Sequence, residues 1–205
     1  MSTVVVIDYG LGNLTSVAGA LQHLGHAPAV SADPDAVARA GRVILPGVGA
    51  FGDGMARLAG RGMIDAIKAF VTTGRPLLGI CLGLQLLARE SEEFGPHRGL
   101  DLLPGRVTSV APSDPGLRSQ HVGWNEVRQA RPCVLLDGIP DGALFYHVHG
   151  YRLVADDAAI VVAETDHGGR FPSVVNTGNL FATQFHPEKS QRHGLALLGN
   201  FVTRT

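Results

Sequence analysis

The feature that most constrains this fold is an alternation in the first half of the chain. Residues 4–8 (Val-Val-Val-Ile-Asp) form a short, unbroken apolar run rich in β-branched side chains, the pattern of a strand buried on both faces. Residues 13–24 then place Leu14, Val17, Ala18, Leu21 and Leu24 at helical spacing, with Gly25 as a stop. The pattern repeats. Residues 27–30 read as a strand, and Asp33-Pro34 as an N-cap followed by proline at the first helical position. Residues 42–45 read as a third strand and 55–70 as one helix or two, broken near Gly60-Arg61-Gly62. Residues 77–80 read as a fourth strand, and 82–89 open a further helix. A strand followed by a helix, repeated, implies a parallel sheet covered by helices on both faces.

The second half reads differently. Residues 106–110, 134–136, 144–148, 160–164, 173–175 and 180–185 are all short and strand-like, and Asn176-Thr177-Gly178-Asn179 suits a hairpin turn. Residues 190–202 close the chain as a helix. With no linker, repeat or low-complexity tract visible, the expectation is one domain over residues 1–205. Its fold class is α/β: three layers, a mostly parallel central sheet between helices, and an antiparallel extension.

Composition removes several function classes. The formal net charge is −1, and no basic cluster is interleaved with aromatics, so nucleic-acid binding is not expected. No apolar run approaches the roughly 20 residues of a membrane helix, and the start lacks a basic leader. Two cysteines without close spacing give neither a disulfide framework nor a zinc ligand set. The expectation is a cytoplasmic protein with no metal and no cofactor.

One of those cysteines is placed for chemistry. Gly79-Ile80-Cys81-Leu82-Gly83 has the G-x-C-x-G form of a nucleophile elbow, a sharp strand-to-helix turn that lifts its central side chain above the sheet. The flanking glycines are expected to relieve crowding around the strained residue. A thiolate at a helix N-terminus faces the positive end of the dipole, which favours the reactive form. The Leu82 amide is placed to meet an oxyanion formed on a carbonyl that Cys81 attacks. Cys133 has no such setting and reads as structural.

A nucleophilic thiol needs a base. Among nine histidines, Phe185-His186-Pro187-Glu188 stands apart at the end of a strand-like run. In an extended segment His186 and Glu188 would project from one face, with Pro187 stiffening the chain between them. A carboxylate beside the imidazole can hold its tautomer and stabilise the imidazolium. Cys81, His186 and Glu188 are therefore the catalytic candidates.

Together these residues resemble the class I, or triad, glutamine amidotransferase family. Gly79–Leu87 (GICLGLQLL) and residues 183–190 (TQFHPEKS) match its nucleophile and His-x-Glu motifs. Three stretches narrow the resemblance to the glutaminase subunits of imidazole glycerol phosphate synthases. They are Asp8-Tyr9-Gly10-Leu11-Gly12-Asn13-Leu14, Pro46-Gly47-Val48-Gly49-Ala50-Phe51, and His121-Val122-Gly123-Trp124-Asn125 with Phe145-Tyr146-His147-Val148-His149. The resemblance implies a flavodoxin-like sheet and release of ammonia from glutamine at Cys81. Water then cleaves the glutamyl thioester. His186 transfers protons and is oriented by Glu188. Gly49 and Gln85 would help bind glutamine. The amides of Val48 and Leu82 would form the oxyanion hole once the Gly47–Gly49 backbone rearranges, which glycine makes inexpensive. Ammonia would pass to a (β/α)8-barrel cyclase that makes imidazole glycerol phosphate in histidine biosynthesis, in a heterodimer. Asn13, Trp124, Asn125 and Tyr146 are the residues expected to face that partner.

The sequence departs from the family pattern in three places. Gln120 stands where proline is usual, and His147 and Gly150 replace phenylalanine and serine. All fall where partner contact is expected. Other readings carry less. Gly47-Val48-Gly49-Ala50-Phe51-Gly52 fits G-x-G-x-x-G, but it follows the third strand and no acidic residue ends the next strand. A paralogue feeding ammonia to another synthase, a stand-alone cysteine hydrolase and a silent scaffold remain the alternatives.

Overall fold

The computed structural model describes residues 3–110, 116 and 118–205. Its element order begins β1 (Val4–Ile7), α1 (Leu14–His23), β2 (Ala29–Ser31), α2 (Pro34–Arg39), β3 (Arg42–Leu45), α3 (Phe51–Gly60), α4 (Met63–Thr72), β4 (Leu77–Ile80) and α5 (Leu82–Leu87). The alternation read from sequence is present. Asp33 caps α2 by accepting from the Asp35 amide, and Pro34 occupies the first turn. The 55–70 segment resolves into two helices, separated where Gly62 takes a φ of 66°.

Strands β1 to β4 pair in parallel in the order β2-β1-β3-β4, a doubly wound arrangement. Along β1, Val5 and Ile7 pack into one core, and Val4 and Val6 into the other. Both faces of this half of the sheet are thus buried, which is why its strands read as unbroken apolar runs rather than alternating ones.

The remaining strands are β5 (Ala88–Ser91), β6 (His97–Arg98), β7 (Leu103–Ser109), β8 (His121–Gln129), β9 (Ala143–His149), β10 (Tyr151–Ala155), β11 (Val161–Asp166), β12 (Arg170–Thr177) and β13 (Leu180–Thr183), closed by α6 (Gln191–Arg204). Strand β13 adds to β4 in parallel, and β12, β11, β8 and β9 continue the sheet antiparallel. The turn expected at residues 176–179 is there: Thr177 pairs with Leu180, and Gly178 has a φ of 54°.

Three expectations need correction. Residues 134–136 form a 3-10 turn, not a strand: Leu135 and Leu136 are buried under α6, which needs no sheet partner. Helix α5 stops at Leu87, because Ala88–Ser91 is taken up as a strand of a second, four-stranded sheet ordered β10-β7-β5-β6. The 185–188 segment is not extended throughout. His186 has strand-like angles, but Pro187–Lys189 is a 3-10 turn.

Candidate active site

Cys81 ends β4 and opens α5, with φ 54° and ψ −109°, a conformation that costs a non-glycine residue on the order of 1–3 kcal/mol. It is fixed from both sides: its amide donates to Thr183 O on β13 (2.8 Å), and its carbonyl accepts from Gln85 N (3.2 Å). The flanking glycines relieve crowding at the elbow, through the space they leave rather than through their own backbone angles. Neither carries a positive φ. A Cβ at Gly83 would lie 1.8 Å from Leu45 O, and one at Gly79 would lie 2.9 Å from the Leu87 side chain. They allow α5 to press onto β3 and β4 and so place Cys81 above the sheet. With only six residues, α5 offers little more than one turn of dipole.

His186 and Glu188 meet as the spacing suggested, though through the turn. The Nδ1–H of His186 donates to Glu188 Oε1 at 2.8 Å, and both side chains are at most 2% exposed. The imidazole Nε2 and Glu188 Oε2 have no hydrogen-bond partner among the described residues. The Cys81 thiol is the neighbour that acts on His186. Burial pushes the imidazole pKa down, but the neighbouring Cys81 thiol and the hydrogen-bonded Glu188 carboxylate favour the charged ring and raise the pKa to about 10. The His186 backbone is tied to β9: its amide donates to Tyr146 O (2.9 Å), and its carbonyl accepts from Ser190 Oγ (2.6 Å).

A cavity of about 340 Å³ opens at the thiol, lined by Val48, Gly49, Cys81, Leu82, Gln85, Glu93, Val148–Tyr151 and Lys189. Of the residues expected around an oxyanion and substrate, Val48, Gly49, Leu82 and Gln85 line it. Gly47 does not: it packs where a Cβ would meet Tyr9 Oη at 2.3 Å. The freedom for a backbone rearrangement lies at Gly49, with φ 106° and open space around its Cβ direction. Gln85 is buried and donates to Tyr151 O (2.9 Å) and Gln184 Oε1 (3.3 Å), which braces the cavity wall.

Sequence reasoning missed Glu93. The residue is 8% exposed, and its carboxylate accepts from Phe51 N at 2.6 Å and has its pKa raised by burial. It lies in an acidic run, Glu90-Ser91-Glu92-Glu93, whose pattern does not separate a buried carboxylate from solvated ones. Val148, His149 and Gly150 in the wall lie in the stretch read only as partner-facing, and Tyr151 was not singled out.

The four residues expected at an interface separate. Trp124 and Tyr146 pair across β8 and β9, with rings at 6.0 Å, on a face that also exposes Val122, Leu144 and Val148. Asn125 is one step along and turned to the opposite face, where its amide donates to Asp166 O (2.8 Å). Asn13 lies at the start of α1, and its side chain caps that helix by accepting from Ser16 N (3.4 Å). Among the described residues no helix is long and apolar enough to cross a membrane.

An elbow thiol, a buried His-Glu pair and an adjoining cavity sit together on a doubly wound sheet, the arrangement that cysteine-dependent acyl transfer requires. The family model for glutamine amidotransferase class-I matches residues 5–205, and the chain belongs to that family. Among curated proteins, the imidazole glycerol phosphate synthase subunit HisH of Moorella thermoacetica is 50% identical over 201 residues, covering 98% of this chain and 94% of the relative. The subunit of the same name from Syntrophotalea carbinolica is 47% identical, covering 97% and 98%. The chain is therefore of the HisH type within the family. In fold it is similar to the structure of PurLQS from Thermotoga maritima, with a TM-score of 0.77, 20% identity and 98% of each chain covered.

Proposed function

We propose that this chain is one glutaminase domain, the ammonia-producing subunit of an imidazole glycerol phosphate synthase. The observation that carries the reading is the buried His186–Glu188 pair, whose unpartnered Nε2 is coupled to a thiol held in a strained elbow.

Cys81 Sγ attacks the side-chain amide carbon of glutamine, and the carbonyl π electrons move onto oxygen. The oxyanion is met by the Leu82 amide and, after the backbone around Gly49 turns, by that of Val48. His186 delivers a proton to the amide nitrogen, the C–N bond breaks, and ammonia leaves a γ-glutamyl thioester. His186 then takes a proton from water, hydroxide attacks the thioester, and glutamate departs as the thiolate reforms. Glu188 holds Nδ1–H throughout and stabilises the imidazolium. Glu93 offers a buried carboxylate to the substrate's α-ammonium.

The partner is a (β/α)8-barrel cyclase forming a heterodimer. It docks on the outer face of the β8–β9 ribbon, where Val122, Trp124, Leu144 and Val148 leave apolar surface exposed. Ammonia passes to it, yielding imidazole glycerol phosphate and aminoimidazole carboxamide ribotide in the cytoplasm. Tyr146 belongs to that face, and its carbonyl holds the His186 amide, so docking has a direct line to the base.

The test is glutamate release from glutamine by the purified chain, alone and with cyclase loaded with its nucleotide substrate. Stimulation by loaded cyclase, abolished in Cys81→Ala, is expected. Turnover indifferent to the cyclase would point to a paralogue or a stand-alone hydrolase. Activity surviving Cys81→Ala would remove the nucleophile assignment.

A further inference from the structure

The β8–β9 ribbon has a second, inner face, of which only His149 reaches the cavity at Cys81. There His121, His147 and His149 converge, exposed by only 4%, 0% and 8%. One ring nitrogen from each lies within 4.8 Å of the other two. We propose that this cluster binds a divalent transition-metal ion of the zinc class through the imidazole nitrogens of His121, His147 and His149.

Two of the ligands are hydrogen-bonded to each other at a spacing an ion could bridge. His147 Nδ1 and His149 Nε2 are 3.3 Å apart. That is the edge of a tetrahedron built with metal–nitrogen bonds of about 2.0–2.1 Å. The His149 ring is oriented from behind, its Nδ1–H donating to Tyr151 O at 2.9 Å, which leaves the Nε2 lone pair toward His147. A backbone carbonyl behind the ring is the usual outer partner of a metal-bound imidazole. Of the three donor atoms, His149 Nε2 presents its lone pair as it stands, while His147 Nδ1–H donates to it, so ion binding must move that proton to the buried, unpartnered His147 Nε2. Donors made only of imidazole suit zinc, cobalt, nickel or copper, not the oxygen-seeking magnesium or calcium.

The third ligand must move. His121 Nδ1 is buried and has no hydrogen-bond partner among the described residues. Its Nε2 lies 3.1 Å from the Asn125 amide nitrogen, which also donates to Asp166 O. Nε2 is therefore the acceptor, and the neutral ring carries its proton on Nδ1. The ring also stacks between His147 (4.5 Å, 23°) and His167 (4.3 Å, 18°), so the in-plane lone pairs of His121 and His147 cannot meet one ion as they stand. Ligation through Nδ1 shifts that proton to Nε2, turns the ring out of the stack, and leaves Asn125 bonded to Asp166. Val148, between two of the ligands, has its carbonyl 3.9 Å from Cys81 Sγ, so a bound ion would fix one wall of the cavity.

The site is tested by titrating Co2+ into the metal-free Cys81→Ala chain, which removes the triad thiol as a competing ligand, and reading visible absorption. One equivalent should give the intense band of four-coordinate cobalt without a near-ultraviolet thiolate band, and Zn2+ should abolish it. His147→Phe in the same background keeps an aromatic ring of similar size, and should weaken binding by about 100-fold or more. Circular dichroism checks that this variant is folded. If it does not fold, histidine ring resonances of the Cys81→Ala chain replace it, with zinc expected to switch the His121 tautomer. A spectrum of hydrated cobalt only, affinity unchanged by His147→Phe, or a His121 ring indifferent to zinc would overturn the proposal.

Discussion

Acid should destabilise this protein through the same histidines, and the effect can be worked out from their burial. Desolvation lowers His121 to about 4 and His149 to about 3, and places His147 well below its ordinary value. In the unfolded chain each takes up a proton near pH 6.5. Between that value and about 4 the unfolded state carries more protons, so stability falls as pH falls through this window and is flat above it. For a ring still neutral in the fold at pH 5, the loss relative to neutrality is RT ln(1 + 10^1.5), about 2 kcal/mol, set by the unfolded pKa alone. His121 and His149 together lose about 4 kcal/mol, a large share of the roughly 5–15 kcal/mol that holds a domain together. His147 adds up to the same again per ring. His186 has the opposite sign. Its raised pKa gives stability that is complete below 6.5 and lost as pH rises through about 10, so it does not produce an acid limb. Urea unfolding followed by circular dichroism in EDTA, at pH 7.5 and 5.0, should show a net drop of about 3 kcal/mol or more, because His186 regains about 1.4 kcal/mol over the same interval. His147→Phe should show a drop smaller by up to about 2 kcal/mol. Parallel pH dependences for the two proteins, or native rings of His121 and His149 titrating near 6, would refute the argument.

Three further outcomes are expected. Gly83→Ala drives a Cβ to 1.8 Å from Leu45 O, so α5 must lift from β3, and a loss of about 3 kcal/mol should appear as a lower denaturation midpoint. Glu93→Gln removes the buried charge facing the substrate ammonium and should raise KM for glutamine by about 10–100-fold, with a smaller effect on kcat in steady-state assays. Trp124→Ala, on the exposed face of β8, should weaken cyclase binding by about 10–100-fold in calorimetry while leaving glutamate release by the chain alone unchanged.

What the sequence determined about this protein is local. The unbroken runs at Val4–Ile7, Arg42–Leu45 and Leu77–Ile80 announced strands covered on both sides, because a two-faced core leaves no polar alternation. Gly-Ile-Cys-Leu-Gly announced a turn, and His186-Pro187-Glu188 a paired base, because each is settled by neighbours within a few residues. The elbow glycines relieve crowding as expected, but the crowding atoms, from Leu45, Gly83 and Leu87, could be named only from the packing of β3, β4 and α5. Only the tertiary structure decided the rest. Strand β13 pairs with β4 and ties Cys81 N to Thr183 O, which brings His186 to a thiol 105 residues earlier in the chain (186 − 81). The register of β8 on β9 sets Trp124 beside Tyr146 on one face and gathers His121, His147 and His149 on the other. Folding of Ala88–Ser91 into a second sheet buries Glu93 at the cavity. Each of these joins segments far apart in sequence, and their pairing is chosen by the packing of whole faces, which no short pattern of residues encodes.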